Sequence, residues 1–437
     1  MQVISRGYAL TVLTATLALS FVDRQILSLL VAPVKSELSL SDLQISLLHG
    51  LAFAFLYMLL GLPFGWLVDR RDRKKIIFAG VGFWSVATAS CGLARNFGEL
   101  FLSRIGVGVG EACLQPAAYS LLADAYPPER LSSTLSIFSL GSWLGVGGAF
   151  LLGGQVAGIA ETISAMSGLD WSGWRWLFIL LGALGIPACL AIVLVREPVR
   201  QRGHQAQPLS ETAAFLKARA KLIVPLFLGY AIILLNVYAF LAWSPALLMR
   251  VYGWTPPEVG YGLGLCALLL CPVGALSGGM IADRLVRRGV VAGPVVIGAA
   301  EAALFLPCLA GLAFVSSGQG AMALLAVCFV LGPLALGSGI ASVQMITPPQ
   351  FRGQLSAVYL LVSSLLGVAG GPALTALFTD RVFRDELRVD DSLAMVSITT
   401  LPIAFVCLVI AARRFSFSRS DVAETVSSDF ARKMDVV

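Results

Sequence analysis

Long apolar runs separated by short polar segments dominate the chain. Twelve of them reach the length of about 20 residues that a helix needs to cross a bilayer. In the first half of the chain these runs are Tyr8–Val34, Leu43–Val68, Ile76–Ala94, Leu100–Ala125, Leu131–Gly158 and Trp174–Val195. In the second half they are Leu222–Met249, Val259–Ala282, Val291–Val315, Ala321–Thr347, Leu355–Phe378 and Leu393–Ala412. The pattern predicts an all-α membrane protein with twelve transmembrane helices.

One long polar segment, Arg196–Lys221, divides the twelve predicted helices into two sets of six. A short helix is expected within it near Ser210–Ala220, because Ser-Glu-Thr resembles a helix N-cap followed by helix-forming residues. The predicted organisation is an N-terminal six-helix bundle over 1–195, a cytoplasmic linker over 196–221, a C-terminal six-helix bundle over 222–414 and a cytoplasmic tail over 415–437.

The composition excludes most classes of soluble protein. Only 13% of the 437 residues are charged and 57% are hydrophobic, whereas soluble domains carry about 25% charged residues. The net charge of +6 does not indicate a nucleic-acid partner, because the basic residues lie in short loops. Loops and tails on one side hold 22 of the 31 Lys and Arg residues. This bias predicts an inner-membrane protein with both termini in the cytoplasm.

Cysteine and histidine usage predicts neither disulfides nor a metal site. The eight cysteines all lie within apolar runs, and none forms a CxxC pair. The two histidines, His49 and His204, are too far apart in the chain to suggest a His-based metal site. No GxxxxGK[ST] loop occurs, which argues against an ATP-driven pump. We therefore expect no cofactor.

An internal repeat supports the division into two halves. The second predicted helix ends in Gly65-Trp-Leu-Val-Asp-Arg-Arg-Asp-Arg-Lys, and the eighth ends in Gly279-Met-Ile-Ala-Asp-Arg-Leu-Val-Arg-Arg, 214 residues later. The Gly, the Asp, two Arg residues and a final basic residue match position for position. Parallel six-helix repeats are typical of one class of secondary transporters.

This loop resembles the GxxxDRxGRR/K signature of the major facilitator superfamily, with Asp72 in place of the usual internal glycine. The stretch from Arg104 to Ala112 is similar to the RxxxGxG motif of that superfamily. Within the superfamily, the chain resembles the Spinster family of lipid transporters. The stretches that carry this likeness are Asp23-Arg24, Gly108-x-Gly110-Glu111-Ala112, Ala123-Asp124, and Pro127-x-Glu129-Arg130-x3-Thr134-Leu-Ser136.

The resemblance implies a proton-linked carrier of amphiphiles, since eukaryotic Spinster proteins move lysophospholipids or sphingosine-1-phosphate. It implies alternating access, energy from the proton gradient and a monomeric state. The gating residues it implies are Gly65, Asp69, Arg70, Arg73 and Asp124. We expect Asp69 to lie against a helix N-terminus of the other half, and Arg73 to contact Asp124 and hold the inner gate shut in an outward-open state.

Four charged residues lie within the first and fourth predicted helices. A charge at the bilayer centre costs at least about 2.5–3.5 kcal/mol, so Asp23, Arg24, Arg104 and Glu111 should pair or face a cavity. A continuous helix would place Arg104, Glu111 and Gln115 on one stripe about 16 Å long. Asp23 and Glu111 are the candidate proton carriers, and Arg24 and Arg104 the candidate partners of an anionic headgroup. The alternative is a salt bridge that only stabilises the bundle.

Other polar residues within the predicted helices are weaker candidates. His49 is interpreted as a core histidine, and Glu301 as a helix-packing residue rather than a proton carrier. Six further residues are candidates for lining the cavity, although each is equally compatible with helix packing: Gln115, Tyr119, Asn236, Tyr238, Gln344 and Tyr359.

The sequence thus predicts a proton-coupled secondary transporter of amphiphilic lipids, lysophospholipid-like or sphingolipid-like, or of lipophilic drugs. A proton-coupled carrier of small organic anions is the alternative, because Arg24 and Arg104 suit a carboxylate equally well. An intramembrane enzyme or a non-transporting sensor is not supported, since the sequence has neither a paired catalytic motif nor a soluble sensing domain.

Overall fold

The structure is a computed structural model that describes residues 6–126, 128–167, 171–198, 209–348 and 351–434. Within these ranges the chain is helical and contains no strand. The helices of the first half are α1 (Arg6–Gln25), α2 (Val31–Leu38), α3 (Asp42–His49), α4 (Leu51–Arg70), α5 (Arg73–Cys91), α6 (Phe97–Glu111), α7 (Leu114–Ala125), α8 (Pro128–Ser167), α9 (Gly173–Ala183) and α10 (Gly185–Val193). Those of the second half are α11 (Leu209–Ala218), α12 (Ala220–Arg250), α13 (Pro256–Arg287), α14 (Gly293–Gly311), α15 (Gly318–Leu331), α16 (Leu336–Ile346), α17 (Arg352–Ser363), α18 (Gly370–Leu377) and α19 (Val389–Met434).

These helices form twelve spans, several of which consist of two helices joined end to end. In the described ranges, ten segments are long and apolar enough to cross a membrane. The two that fall short are α5 and the α6–α7 pair, because charged residues lower their apolarity. The short helix expected in the linker is α11, while linker residues 199–208 lie outside the described part of the chain.

The first span is shorter than the predicted Tyr8–Val34. Helix α1 ends at Gln25, a single 3-10 turn covers Ile26–Ser28, and α2 is a separate short helix. Leu29 and Leu30 are nonetheless 4% and 6% exposed, because they pack into the protein core. The apolar run is longer than the span because Leu29 and Leu30, which follow the end of the span, are buried against other helices.

Two of the spans that carry candidate residues are interrupted. In span 4 the helix breaks at Ala112–Cys113, between α6 and α7. In span 10, Gly332-Pro333-Leu334-Ala335 separates α15 from α16, and proline favours such a break because it lacks a backbone N–H. In span 4 the backbone of Ala112 and Cys113 keeps right-handed helical angles, so the interruption there is slight.

The two halves pack against each other through three pairs of segments. Helix α8 packs against α13, the 3-10 turn after α1 packs against α12, and the α3–α4 pair packs against α18 and the π-helical segment before it. We call the side of the molecule at which α1 begins the terminal side, and the opposite side the distal side. The first span runs from the terminal to the distal side, and successive spans alternate in direction.

Candidate functional site

The four charged residues form two ion pairs between α1 and α6. Arg24 pairs with Glu111: its Nε and Nη2 atoms each lie 2.7 Å from Glu111 Oε2. Ser20 donates a hydrogen bond of 2.6 Å to the same oxygen. The buried Glu111 carboxylate is therefore held by one cation and one hydroxyl, both from α1.

The second pair is Asp23 with Arg104. Arg104 Nη1 lies 3.6 Å from Asp23 Oδ1 and donates a 3.1 Å hydrogen bond to the Asp23 backbone carbonyl. Thr88 of α5 donates a hydrogen bond to Asp23 Oδ2. The Asp23 carboxylate thus lies between three helices of the N-terminal half.

The two arginines differ in access. The Arg24 side chain is 16% exposed, whereas that of Arg104 is fully buried. Of the two predicted headgroup partners, only Arg24 is accessible in this conformation. Arg104 is enclosed behind Asp23, so it would need a rearrangement to contact a cargo.

Three aromatic rings surround the Arg24 guanidinium. Its central carbon lies 4.7, 4.2 and 4.9 Å from the ring centroids of Phe21, Phe53 and Tyr57. Cation–π contacts of this kind are strongest where water is excluded. Sequence reasoning missed the two phenylalanines, although the helical spacing of Phe53 and Tyr57 places both rings on one face of α4 and was a usable signal.

The three residues of the predicted polar stripe on span 4 have different partners. Glu111 and Arg104 bind different residues of α1, and the helix breaks directly after Glu111. Gln115 lies beyond the break, yet it accepts a 2.9 Å hydrogen bond from Tyr57 Oη. Since Tyr57 also contacts Arg24, Gln115 belongs to the same group of side chains.

Two further cavity candidates, Tyr119 and Asn236, differ in how exposed they are. Tyr119 is exposed and packs edge-on against Phe138. Asn236, in contrast, is fully buried, and its Nδ2 donates to Thr400 Oγ1 of α19 at 2.9 Å. The prediction that Asn236 lines the cavity is therefore not supported by its position, because its amide is used in packing between α12 and α19.

Three further candidates lie in the C-terminal half. Tyr238 is half-buried on α12 and within electrostatic range of Arg24. Gln344 donates a 2.8 Å hydrogen bond to Ser356 across the α16–α17 pair. Tyr359 is 8% exposed and packs edge-on against Phe227. Of the three, Tyr238 is the one that lies near the charged group.

His49 and Glu301 both lie at helix contacts. His49 lines a small gap with residues of both halves, including Trp243 and Pro372. Glu301 is fully buried on α14, where its Oε2 accepts a 2.6 Å hydrogen bond from the backbone N–H of Ala335 at the start of α16. Both positions agree with the packing interpretation of these two residues.

Most of the predicted gating residues lie around the α4–α5 loop. Arg73 binds Asp124, as expected, and its Nε also lies 2.6 Å from Glu197 Oε1. Arg70 stacks 4.0 Å from the centroid of the Trp66 ring. The side chain of Asp69 lies outside the described part of the structure, so its predicted contact stays a prediction.

A cluster of charged residues on the distal side was not predicted. Arg250 Nη1 and Nη2 lie 2.6 and 3.0 Å from the two carboxylate oxygens of Asp42, and Lys35 Nζ lies 2.6 Å from Asp42 Oδ1. Lys35 also lies 2.6 Å from Glu386 Oε1. We call Lys35, Asp42, Arg250 and Glu386 the distal cluster. Its members come from both halves, so no local sequence pattern indicates that they meet.

Glycine contacts indicate which side is closed. A Cβ added to Gly50 would lie 2.6 Å from the Val368 carbonyl oxygen, and one added to Gly264 would lie 3.1 Å from the Gly147 carbonyl oxygen. Of the described atoms, none lies within 4 Å of a Cβ added to Gly65 or Gly279. The halves therefore touch near the distal side and leave open space at the terminal-side glycines.

The closed distal side corrects one expectation about the Arg73–Asp124 pair. The pair was expected to hold the terminal side shut in a state that is open on the other side. Here it forms within the N-terminal half while the distal side is closed. The pair by itself therefore does not mark the opposite conformation.

The sequence and the fold are similar to those of known transporters. The family model described as Major Facilitator Superfamily matches residues 13–416. The MFS-type efflux pump of Mycolicibacterium smegmatis is 29% identical over 389 residues, covering 86% of this chain and 85% of that protein. Protein spinster homolog 1 of Rattus norvegicus is 28% identical over 414 residues, covering 87% and 75%. The D-galactonate transporter of Escherichia coli O6:H1 is 26% identical over 398 residues, covering 83% and 87%.

A solved structure has the same architecture. The crystal structure of a bacterial homolog to the human lysosomal transporter Spinster, in an inward-facing and occupied conformation, aligns with a TM-score of 0.78 at 27% identity. The alignment covers 96% of this chain and 98% of that one. The predicted twelve-helix fold and the predicted resemblance are confirmed. The chain belongs to the major facilitator superfamily and is a multi-pass membrane transporter, not an enzyme, that resembles the Spinster family.

Proposed function

We propose that the protein is a proton-coupled secondary transporter of amphiphilic lipids, lysophospholipid-like or sphingolipid-like, or of lipophilic drugs. The observation that carries this proposal is the Arg24–Glu111 pair beneath three aromatic rings. A guanidinium that is partly exposed can bind a headgroup phosphate through two hydrogen bonds. The rings offer an apolar surface for the adjoining part of the cargo.

Proton coupling follows from competition for Arg24. While Glu111 is ionised, it holds the guanidinium through Nε and Nη2. Protonation of Glu111 removes that charge and frees Arg24 for an anionic headgroup. Asp23 and Arg104 provide a second carboxylate–guanidinium pair that can respond in the same way. The proton gradient then supplies the energy, and no cofactor takes part.

Alternating access requires the two halves to separate on the distal side and meet on the terminal side. We place the protein in the inner membrane as a monomer, with the terminal side in the cytoplasm, in agreement with the excess of Lys and Arg there. The conformation described here is then inward-facing. The inward-facing state of the solved Spinster homolog is consistent with this assignment.

The test is lysophospholipid flux in proteoliposomes with and without an imposed pH gradient. We expect gradient-dependent flux from the wild type, and loss of that dependence in Glu111→Gln and in Asp23→Asn. Glu211→Gln, which alters an exposed glutamate of α11, serves as the control and should transport normally. Wild-type pH dependence in a folded Glu111→Gln protein would refute the coupling proposal.

Transport of small organic anions is the second candidate function. It is favoured by the similarity to a D-galactonate transporter and by the affinity of a guanidinium for carboxylates. The same liposomes distinguish the two candidates. Gradient-driven uptake of a sugar acid without lysophospholipid flux would replace the lipid cargo and leave the coupling proposal intact.

A further inference from the structure

A groove of about 680 Å³ runs along the outer face of the N-terminal half, away from the Arg24–Glu111 pair. It lies between α4 and α5, which diverge from their connecting loop and both pack against the α6–α7 pair. Its apolar part is lined by Phe64, Leu67, Ile76, Ala79, Phe83 and Val109. Phe83 is 53% exposed, so the groove opens sideways, toward the position of the bilayer.

The mouth of the groove carries positive charge. Among the side chains that the structure describes, Arg70, Arg71 and Lys75 line it together with one acid, Asp72. Asp72 is already used within the loop, where its Oδ1 accepts a 3.0 Å hydrogen bond from the Lys75 backbone N–H and caps α5. Its Oδ2 lies 4.0 Å from Lys75 Nζ, and the Lys75 side chain is 81% exposed, so the ammonium stays accessible. The mouth therefore has excess positive charge directly beside an apolar trough.

The mouth lies at the depth of a membrane–water interface. Arg70 stacks on Trp66, and Trp is enriched where the apolar part of a bilayer meets its headgroups. Basic residues at that depth attract anionic lipid headgroups, and arginine binds a phosphate through two hydrogen bonds. Lipids that enter from the side place their acyl chains deeper, where this groove is apolar.

We propose that this groove is a binding site for one anionic phospholipid of the terminal-side leaflet. The phosphate binds Arg70 and Lys75, and one acyl chain lies along Phe64, Ala79 and Phe83. The site is distinct from the cargo site, because the Glu111 side chain contacts α1 while the groove contacts the backbone of α6 at Gly110.

The position of the site connects the membrane lipid to the transport machinery. Gly110 and Cys113 form part of the groove floor and flank the break that follows Glu111. The mouth is formed by the end of α4 and the α4–α5 loop, where the repeated Gly-Asp-Arg motif lies. A lipid in the groove therefore packs against both the segment that positions Glu111 and the loop that is expected to meet the other half.

The test measures lipid binding to the purified full-length protein by native mass spectrometry. Phosphatidylglycerol and phosphatidylcholine with identical acyl chains are titrated into delipidated protein. We expect the wild type to retain phosphatidylglycerol in preference to phosphatidylcholine. The double variant Arg70→Gln/Lys75→Gln should weaken phosphatidylglycerol binding by about 30-fold, since each basic residue near a membrane surface contributes roughly fivefold.

Two further variants make the result specific to the groove. Arg284→Gln/Arg287→Gln removes the same charge from the equivalent loop of the other half and should retain wild-type binding. Ala79→Trp fills the apolar trough without altering any charge and should also weaken binding, which a site for free phosphate would not show. Equal retention of both lipids by the wild type, or undiminished phosphatidylglycerol binding in Arg70→Gln/Lys75→Gln, would overturn the proposal.

Discussion

The two arginines of the charged group have different environments, and we expect them to contribute differently. Arg24 contacts three rings and a carboxylate and is partly exposed, whereas Arg104 is fully enclosed. Arg104 Nε and Nη2 have no hydrogen-bond partner among the described residues. An enclosed guanidinium with unused donors is costly in a resting structure. We therefore expect its donors to be used in another step of the transport cycle.

Lysine substitutions should distinguish the contribution of Arg24 from that of Arg104. Arg24→Lys keeps the charge but loses the planar fork and the stacking on Phe53, so we expect roughly tenfold weaker apparent affinity for a phosphate-bearing cargo. Arg104→Lys should change the apparent affinity little and instead lower the melting temperature. Flux at varied cargo concentration and thermal unfolding of both variants measure the two effects. Equal losses of affinity in both variants would contradict the distinction.

At the scale of helices, two pairs of glycines related by the internal repeat mark the closed and the open side of the molecule. Gly50 and Gly264 are 214 residues apart and each meets the other half near the distal side. Gly65 and Gly279 have the same separation and face open space among the described residues. We infer that helices of the two halves approach each other at Gly65 and Gly279 in the opposite conformation, where a side chain would obstruct the contact.

Two substitutions should shift the conformational equilibrium in opposite directions. Gly50→Ala places a methyl group 2.6 Å from a backbone oxygen of the closed distal side, so it should favour the distal-open state. Gly65→Val meets no described atom here but would obstruct closure of the terminal side, so it should favour the conformation described. Distances between spin labels on the distal surface, at Ser41 and the exposed Leu387, measure the shift. Unchanged distance distributions in Gly50→Ala would refute this account.

The distal end of the N-terminal half is fixed by Glu37 of α2. Its carboxylate accepts hydrogen bonds from Ser172 Oγ at 2.5 Å, Trp174 Nε1 at 2.5 Å and Arg175 Nε at 2.7 Å. Burial raises the pKa of Glu37, but these hydrogen bonds lower it more, and the pKa lies below the ordinary value of 4.5. A lowered pKa in the folded protein means that the ionised form contributes stability.

That stability should disappear in acid. It is present above the unfolded pKa and is lost as the pH falls through the lower folded pKa. Glu37→Gln should therefore cost about 0.5–1 kcal/mol at pH 7, a small value because Glu37 is partly exposed. The melting temperatures of wild type and variant should converge below pH 4.5. A difference that persists unchanged in acid would show that the carboxylate charge is not responsible.

At the scale of the whole molecule, the distal cluster joins the two halves electrostatically. Asp42 binds Lys35 of its own half and Arg250 of the other, so the distal closure includes a buried carboxylate held by two cations. Opening the distal side separates Arg250 from Asp42. The cluster therefore contributes to the free-energy difference between the two conformations.

Asp42→Asn should populate the distal-open state. Removing one partner of a buried charge pair costs about 2–5 kcal/mol. The cost of Asp42→Asn should lie near the lower limit, because the Asn side-chain oxygen can still accept a hydrogen bond. The same spin-label distances should lengthen, and distal accessibility to a water-soluble thiol reagent should rise. Asp385→Asn, which alters an exposed neighbouring acid, is the control. Identical distance distributions for Asp42→Asn and wild type would exclude a gating role for the cluster.

Features that depend on a single segment of the chain could be predicted from the sequence. Apolar run lengths predicted the spans, and the cost of membrane charges identified Asp23, Arg24, Arg104 and Glu111. It did not predict which partners pair, because that depends on the relative rotation of α1 and α6. The distal cluster was missed for a similar reason, since Asp42 and Arg250 meet only when the halves close. The break after Glu111 was missed because a helical projection assumes a continuous helix.

The two ion pairs, Arg24–Glu111 and Asp23–Arg104, also have an electrical consequence. With both carboxylates ionised, Asp23, Arg24, Arg104 and Glu111 carry no net charge, so the membrane voltage does little work on this group when the empty carrier reorients. Once a single carboxylate takes up a proton, the group carries one positive charge. Moving that charge across the full membrane field is worth about 2.3 kcal/mol per 100 mV. Under the coupling proposed above, we expect the voltage to act on the protonated carrier and on the charge of its cargo, and the return of the empty carrier to be electrically silent.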